Sequence, residues 1–152
     1  MKYLIYLLLI VLVSACDKSL KPEDTLIKYV HERFQYYNKG GEPNYEFLLS
    51  LTTGSLNSKI EAMQKEGGLQ LREPRFFEFG KFDVERRTCS ELTCSIVYTV
   101  SYSVPRGTQK DSIEVKKISE MRKIDGKWKI ESVKNVRSTH VNLDSLDVFG
   151  DI

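Results

Sequence analysis

Metal-ligating side chains are scarce in this sequence: it has two histidines, His31 and His140, and three cysteines with no Cys-x-x-Cys pair among them. A zinc site needs several such ligands at close spacing, so no metal site is expected. An excess of charge of one sign is also missing, since 23 basic residues face 21 acidic ones and leave a formal net charge of +2. That balance argues against nucleic acid as a partner. The glycine pairs Gly40-Gly41 and Gly67-Gly68 lack the strand-turn-helix setting and the lysine of a phosphate loop. No internal repeat or low-complexity tract occurs, and no cofactor is implied.

What is present suits one ordinary domain. Within 152 residues, 41% hydrophobic and 11% aromatic content supplies enough apolar material for a single core. The longest apolar run, Leu4 to Val13, has about ten residues and is too short to span a bilayer as a helix. Preceded by Lys2, it reads as the apolar region of an export signal. Val13-Ser14-Ala15-Cys16 follows directly: a branched apolar residue, two small residues, then a cysteine.

This tetrapeptide resembles the lipobox of bacterial lipoproteins. The resemblance implies that the signal, residues 1–15, is removed and that Cys16 carries a thioether-linked diacylglycerol, often with a further acyl chain on the new amino terminus. Two or three chains hold a protein stably at a membrane, each buried CH₂ contributing about 0.8 kcal/mol. Asp17 next to the cysteine resembles the signal that retains such proteins at the inner membrane of enteric-type bacteria, on its periplasmic side; the outer membrane is the alternative. Residues 16–21 then form a lipidated tether, 22–140 a single domain, and 141–152 an acidic tail with Asp144, Asp147 and Asp151.

An exported chain also explains its cysteines. Cys16 stands alone, while Cys89 and Cys94 enclose only Ser90-Glu91-Leu92-Thr93, a short connection between two extended segments. In an oxidising compartment these two are expected to form a structural disulfide rather than a redox pair, because the spacing is not that of a Cys-x-x-Cys thiol.

Within the domain, Pro22-Glu23-Asp24 starts a helix, with proline in the first turn and acids at the positive end of the dipole. Leu26, Ile27, Val30, Phe34 and Tyr37 form its apolar stripe, and Lys39-Gly40-Gly41 stops it. A second helix is expected over Tyr45 to Leu51. A third is expected to be capped by Ser55, to carry Leu56, Ile60 and Met63 on one face, and to end at Gly67-Gly68. From Phe76 the period becomes two. Phe77, Phe79, Phe82 and Val84 mark a first strand with a bulge at Gly80. Ile96, Tyr98, Val100, Tyr102 and Val104 mark a second. A polar loop over Pro105 to Asp111 precedes Ile113, Val115 and a register slip at Lys116-Lys117. Asp125-Gly126 then turns a hairpin into Trp128 and Ile130.

Helices followed by long antiparallel strands describe an α+β domain in which a bent sheet wraps the first helix. The order of elements from Pro22 to Val136, with the closing hairpin Ile124-Asp125-Gly126-Lys127-Trp128-Lys129-Ile130, resembles nuclear-transport-factor-2-like, or cystatin-like, domains. Some proteins of that kind are enzymes working in the cone between helix and sheet. In this chain Tyr98, Tyr102 and Asp83 are the residues that could face such a cone, the alternative being core tyrosines and a solvated aspartate. His31, at the edge of the apolar stripe, and His140 have no companion at ligand spacing.

Between Pro105 and His140, ten basic residues (Arg106, Lys110, Lys116, Lys117, Arg122, Lys123, Lys127, Lys129, Lys134, Arg137) oppose five acidic ones. They describe either a basic sheet face near a membrane or an acidic partner, or an ordinary solvated face. The leading expectation is therefore a non-catalytic binding or accessory module, held at the membrane through lipid on Cys16 and engaging an envelope protein or a small apolar ligand. The alternative is a small cavity enzyme of isomerase or dehydratase type.

Overall fold

The computed structural model describes residues 21–39, 43–66, 77–106 and 109–140. Cys16, Asp17 and the acidic tail lie outside the described residues. Three helices, α1 (Pro22–Lys39), α2 (Tyr45–Leu51) and α3 (Gly54–Lys65), precede four strands, β1 (Glu78–Cys89), β2 (Thr93–Arg106), β3 (Gln109–Ile124) and β4 (Lys127–His140). The strands form one antiparallel sheet in the order β1-β2-β3-β4. The α+β class and the order of elements are those expected from the periodicity.

Helix α1 touches both edge strands, β1 and β4, so the sheet curls around it. Its direction is set at two points. Arg87, near the end of β1, bonds Glu23 in the first turn at 2.5 Å. Farther along, the rings of His31 and Phe34 lie 4.5 and 5.1 Å from that of Phe79, at the start of β1. The helix therefore runs antiparallel to β1, with Pro22 at the end where β1 turns into β2. Leu26, Tyr29, Val30 and Phe34 make its buried stripe, and Arg33 is buried with them. The side chain of Tyr37 lies outside the described residues.

Helix α2 is capped by Asn44, whose side chain accepts from the Phe47 amide at 3.0 Å. The cap expected for α3 is corrected. Thr53, not Ser55, stands before that helix, Gly54 opens it with φ of 57°, and the Ser55 hydroxyl donates instead to the Glu131 carbonyl at 3.2 Å. The reason is tertiary. The Thr53 amide donates to the Ile130 carbonyl at 2.8 Å, and Thr52 bridges Ile130 as a short parallel pair. The α2–α3 junction thus covers part of the open edge of β4, where an unpaired strand would otherwise invite further pairing.

In the sheet, β1 carries an extra residue at Gly80, as its broken alternation predicts, and a second at Glu85, which the sequence did not announce. A Cβ on Gly80 would lie 2.9 Å from the Ser101 hydroxyl and 3.1 Å from the Ser101 carbonyl oxygen, so strand β2 passes too close for any side chain there. The slip expected at Lys116-Lys117 is present, but the pairing runs from Lys116↔Arg137 to Lys117↔Asn135. The extra residue is Val136 on β4; β3 alternates without interruption. Glu131 is a second extra residue on β4, between the pairs Glu120↔Ser132 and Met121↔Ile130.

The expected loop from Pro105 to Asp111 is also corrected. The strands continue to Arg106 and resume at Gln109, with Pro105↔Lys110 and Val104↔Asp111 paired. Polar residues such as Lys110 and Ser112 lie on the solvated face, where polarity is compatible with a strand. Pro105 is tolerated because it lies beyond Ser103, the last β2 residue paired with β1, so its missing N–H faces no partner strand. Asp125 and Gly126 turn the last hairpin with φ of 49° and 76°, the paired positive values of a type I′ turn.

The core fills the concave side. Ile96, Tyr98, Val100 and Tyr102 from β2, Ile113, Val115 and Met121 from β3, and Ile130 from β4 pack against Leu26, Val30, Phe34, Leu48, Leu56 and Ile60 from the helices. Each fully buried aliphatic side chain contributes roughly 1.5–3 kcal/mol.

Candidate functional site

The inner face of the sheet contains one polar row within this apolar surface. Residues directly opposite one another on paired strands share a face, and the register Val84↔Tyr98, Tyr98↔Lys117 and Lys117↔Asn135 carries one row across all four strands. Lys117, counted by the sequence reading among the surface bases, therefore points inward; it is only 5% exposed, and its Nζ donates to Oδ1 of Asn135. Alternation is the cause. Ile113, Val115, Ser119 and Met121 at the same parity are all buried, and an uninterrupted strand must place Lys117 with them.

Tyr98 is fully buried, and burial pushes its phenol pKa up, with Tyr29 nearby a second cause. A phenol so shifted stays protonated, so it can donate a hydrogen bond but cannot take up a proton as a base. Ser119, one step along β3, is buried and donates to the Ser132 carbonyl at 3.3 Å. The row thus offers donors, an amide and a neutral phenol, and holds no carboxylate.

Of the residues named for an enzyme cone, Tyr98 and Tyr102 are on the inner face and buried, Tyr102 with its ring 5.4 Å from Phe34 and 5.5 Å from Phe77. Asp83 is not with them. It lies on the outer face, pairs with Lys81 at 3.1 Å, and is exposed. The bulge at Gly80 explains its position, because the inserted residue shifts the parity so that Phe79 and Phe82 share the inner face and Asp83 turns out. An acid that sequence reasoning passed over is Asp111, half-buried, with Oδ2 shut from solvent. It lies six residues from Lys117 on β3, about 20 Å away at the strand rise, and so is not part of the polar row.

The described bases of the hairpins do not form one positive face. Lys110 pairs with Glu78 at 2.7 Å, Arg122 with Glu131 at 3.0 Å, and Lys116 with Glu85. Lys123 sits over the Trp128 ring, 6.0 Å from its centroid, and Lys129 donates to the Ser50 carbonyl. Glu85 accepts from the Thr99 hydroxyl at 2.5 Å as well as from Lys116, and these bonds hold its carboxyl below the ordinary carboxylate range. Glu78 is lowered in the same way by its bond to Lys110. Glu78–Lys110 and Glu85–Lys116 thus set opposite charges side by side on the outer face, where Lys134 and Arg137 are exposed as well.

Cys89 and Cys94 are opposite one another where β1 meets β2 and are joined by a disulfide, with Cα atoms 4.0 Å apart. The turn between them is closed by the Ser90 amide donating to the Thr93 carbonyl at 2.8 Å. Cys94 is buried in the core cluster and Cys89 is exposed, so the bond ties the outer turn to the core. His31 is exposed and packs on Phe79, a boundary position. No described helix is long and apolar enough to cross a membrane.

No protein-family model matches the chain, and no curated protein sequence matches it either. Solved structures that match this chain include two at low sequence identity. One is the intermembrane space region of the chloroplast protein ARC6, with a TM-score of 0.53 at 17% identity over 73% of this chain and 93% of that one. The other is an NTF-2-like protein of unknown function from Shewanella oneidensis MR-1, with a TM-score of 0.43 at 10% identity over 76% of this chain and 98% of that one. At such identities the likeness concerns the fold alone.

Proposed function

We propose that this chain is a lipid-anchored protein of the bacterial cell envelope whose α+β domain is a non-catalytic binding or accessory module. The observation that carries the anchor is the tetrapeptide Val13-Ser14-Ala15-Cys16 directly behind the apolar run Leu4 to Val13. Asp17 supports the periplasmic side of the inner membrane. The domain is read as nuclear-transport-factor-2-like from the order of its elements and from the sheet curling around α1. A non-catalytic role is supported by the content of the cone, where Phe34, Tyr98 and Tyr102 are buried core and the carboxylate named for catalysis, Asp83, faces solvent.

The test is Cys16→Ser in the full-length chain. Radiolabelled palmitate should enter the parent protein and not the variant, and the variant should keep its signal or leave the membrane fraction. A Cys16→Ser protein that is still cleaved after Ala15 and still floats with membranes would refute the anchor.

A further inference from the structure

One end of the domain gathers three features. Pro22, where α1 begins, is at this end because Glu23 bonds Arg87, two residues before the turn at Cys89. The β1–β2 turn carries Leu92, which is 63% exposed and is, with Val136, one of two exposed large apolar side chains among the described residues. The β3–β4 turn at Asp125-Gly126 lies beside it, since Thr93 pairs with Arg122 and the Lys123 amide donates to the Leu92 carbonyl at 2.7 Å. Trp128, half-buried, and Lys123 and Lys127 flank that second turn.

We infer that this end rests on the lipid bilayer, with Leu92 entering the boundary between headgroups and acyl chains and Trp128 held at headgroup level. The inference rests on the lipid anchor proposed above. Five residues separate Cys16 from Pro22, and a chain that short reaches at most about 20 Å. The opposite end, at the β2–β3 connection, is about 40 Å farther along the strands. A tether of that reach cannot turn the far end to the membrane. Lying on the outer face is disfavoured because Glu78, Lys110, Glu85 and Lys116 make that surface polar, whereas the turn end presents the exposed Leu92 and carries the indole of Trp128, half-buried against the core, and both are groups that settle at an interface. Lys123 and Lys127 are nearly balanced by Glu91 and Asp125 at the turns. The anchor therefore supplies the attachment and the turns supply orientation, so the geometry should change little with salt.

The sequence contains a single tryptophan, Trp128, which makes the orientation measurable in the whole lipidated protein. Reconstituted in phosphatidylcholine–phosphatidylglycerol vesicles bearing a dansyl-labelled headgroup, the parent should show strong energy transfer from Trp128. Trp128→Phe combined with Lys110→Trp moves the donor to an exposed position at the far end, and transfer should be several-fold weaker. Leu92→Asp, on an exposed turn that leaves the core untouched, should lower transfer from Trp128 without releasing the protein. Flotation is read in the same samples. Floating protein with equal transfer from both donor positions, or stronger transfer from the far one, overturns the orientation while sparing the anchor. Protein that does not float at all overturns the anchor and the orientation together.

Discussion

Lys117 and Asn135 face each other across β3 and β4 on the inner side of the sheet, and the lysine Nζ donates to the amide oxygen in a place nearly closed to water. Removing one partner of a buried polar pair takes a hydrogen bond from the other, which costs about 1–3 kcal/mol, whereas removing both can be nearly neutral. Asn135→Leu should therefore lower the unfolding free energy by that amount. Adding Lys117→Met to it should recover most of the loss. Urea unfolding of the two variants and the parent checks this, and a double variant no more stable than Asn135→Leu alone would contradict it.

The disulfide closes a short loop, for which chain-entropy arguments give about 2 kcal/mol. Cys89→Ser should cost about that much, because Cys89 is exposed and its new hydroxyl meets water. Cys94→Ser should cost more, since Cys94 is 1% exposed and a hydroxyl there would lie within the core. Thermal unfolding with and without reductant separates the two contributions. Reduction of the parent should lower the midpoint and leave the folded state intact.

Gly80→Ala should destabilise through overpacking, by roughly 1–3 kcal/mol, because the added methyl meets the Ser101 hydroxyl and carbonyl. The same change at Gly126 meets no neighbouring atom within 4 Å but must adopt φ of 76°. It should be destabilising through backbone strain alone. Chemical unfolding midpoints of both variants test the difference in cause: a smaller side chain at position 101 should help the first and leave the second unchanged.

Acid should weaken these outer-face ion pairs in a defined direction. The Glu85 and Glu78 carboxyls are held below their ordinary value of 4.5 by bonds from Lys116, Thr99 and Lys110. A depressed folded-state pKa adds stability above the unfolded value and loses it as pH falls through the folded one. The loss should thus begin below about 4.5 and deepen toward stronger acid. Glu85→Gln should show a flatter stability profile over that acidic window and no change in slope near neutrality. Since both groups are exposed, added salt should shrink the difference.

Much of this fold was legible in residue order. The stripe Leu26, Val30, Phe34, the alternation from Ile96 to Val104 and the Asp125-Gly126 turn each state a local preference that the tertiary structure did not override. Parity across a bulge was harder to read. Asp83 stands between Phe82 and Val84, so the bulge expected at Gly80 turns it outward, but the second bulge at Glu85 has no signal in the sequence, and the slip at Lys116-Lys117 belongs to Val136 on the neighbouring strand. A bulge changes the pairing of two strands, and one strand's letters do not say which partner carries the inserted residue.

By itself, then, the sequence determined what depends on neighbours along the chain: the cysteine behind its apolar run, the helix start at Pro22, the alternation of the strands and the tight turn at Asp125-Gly126. Only the tertiary structure decided what depends on neighbours across it. It drew Lys117 out of an apparent surface charge cluster and buried it beside Tyr98, set Thr53 rather than Ser55 before α3 as the Thr53 amide donates to the Ile130 carbonyl, and brought Pro22 to the same end as the β1–β2 and β3–β4 turns. The physical reason is that local preferences are set by backbone sterics and side-chain period, whereas burial, pairing and orientation are settled by which surfaces meet when the sheet closes around its helix.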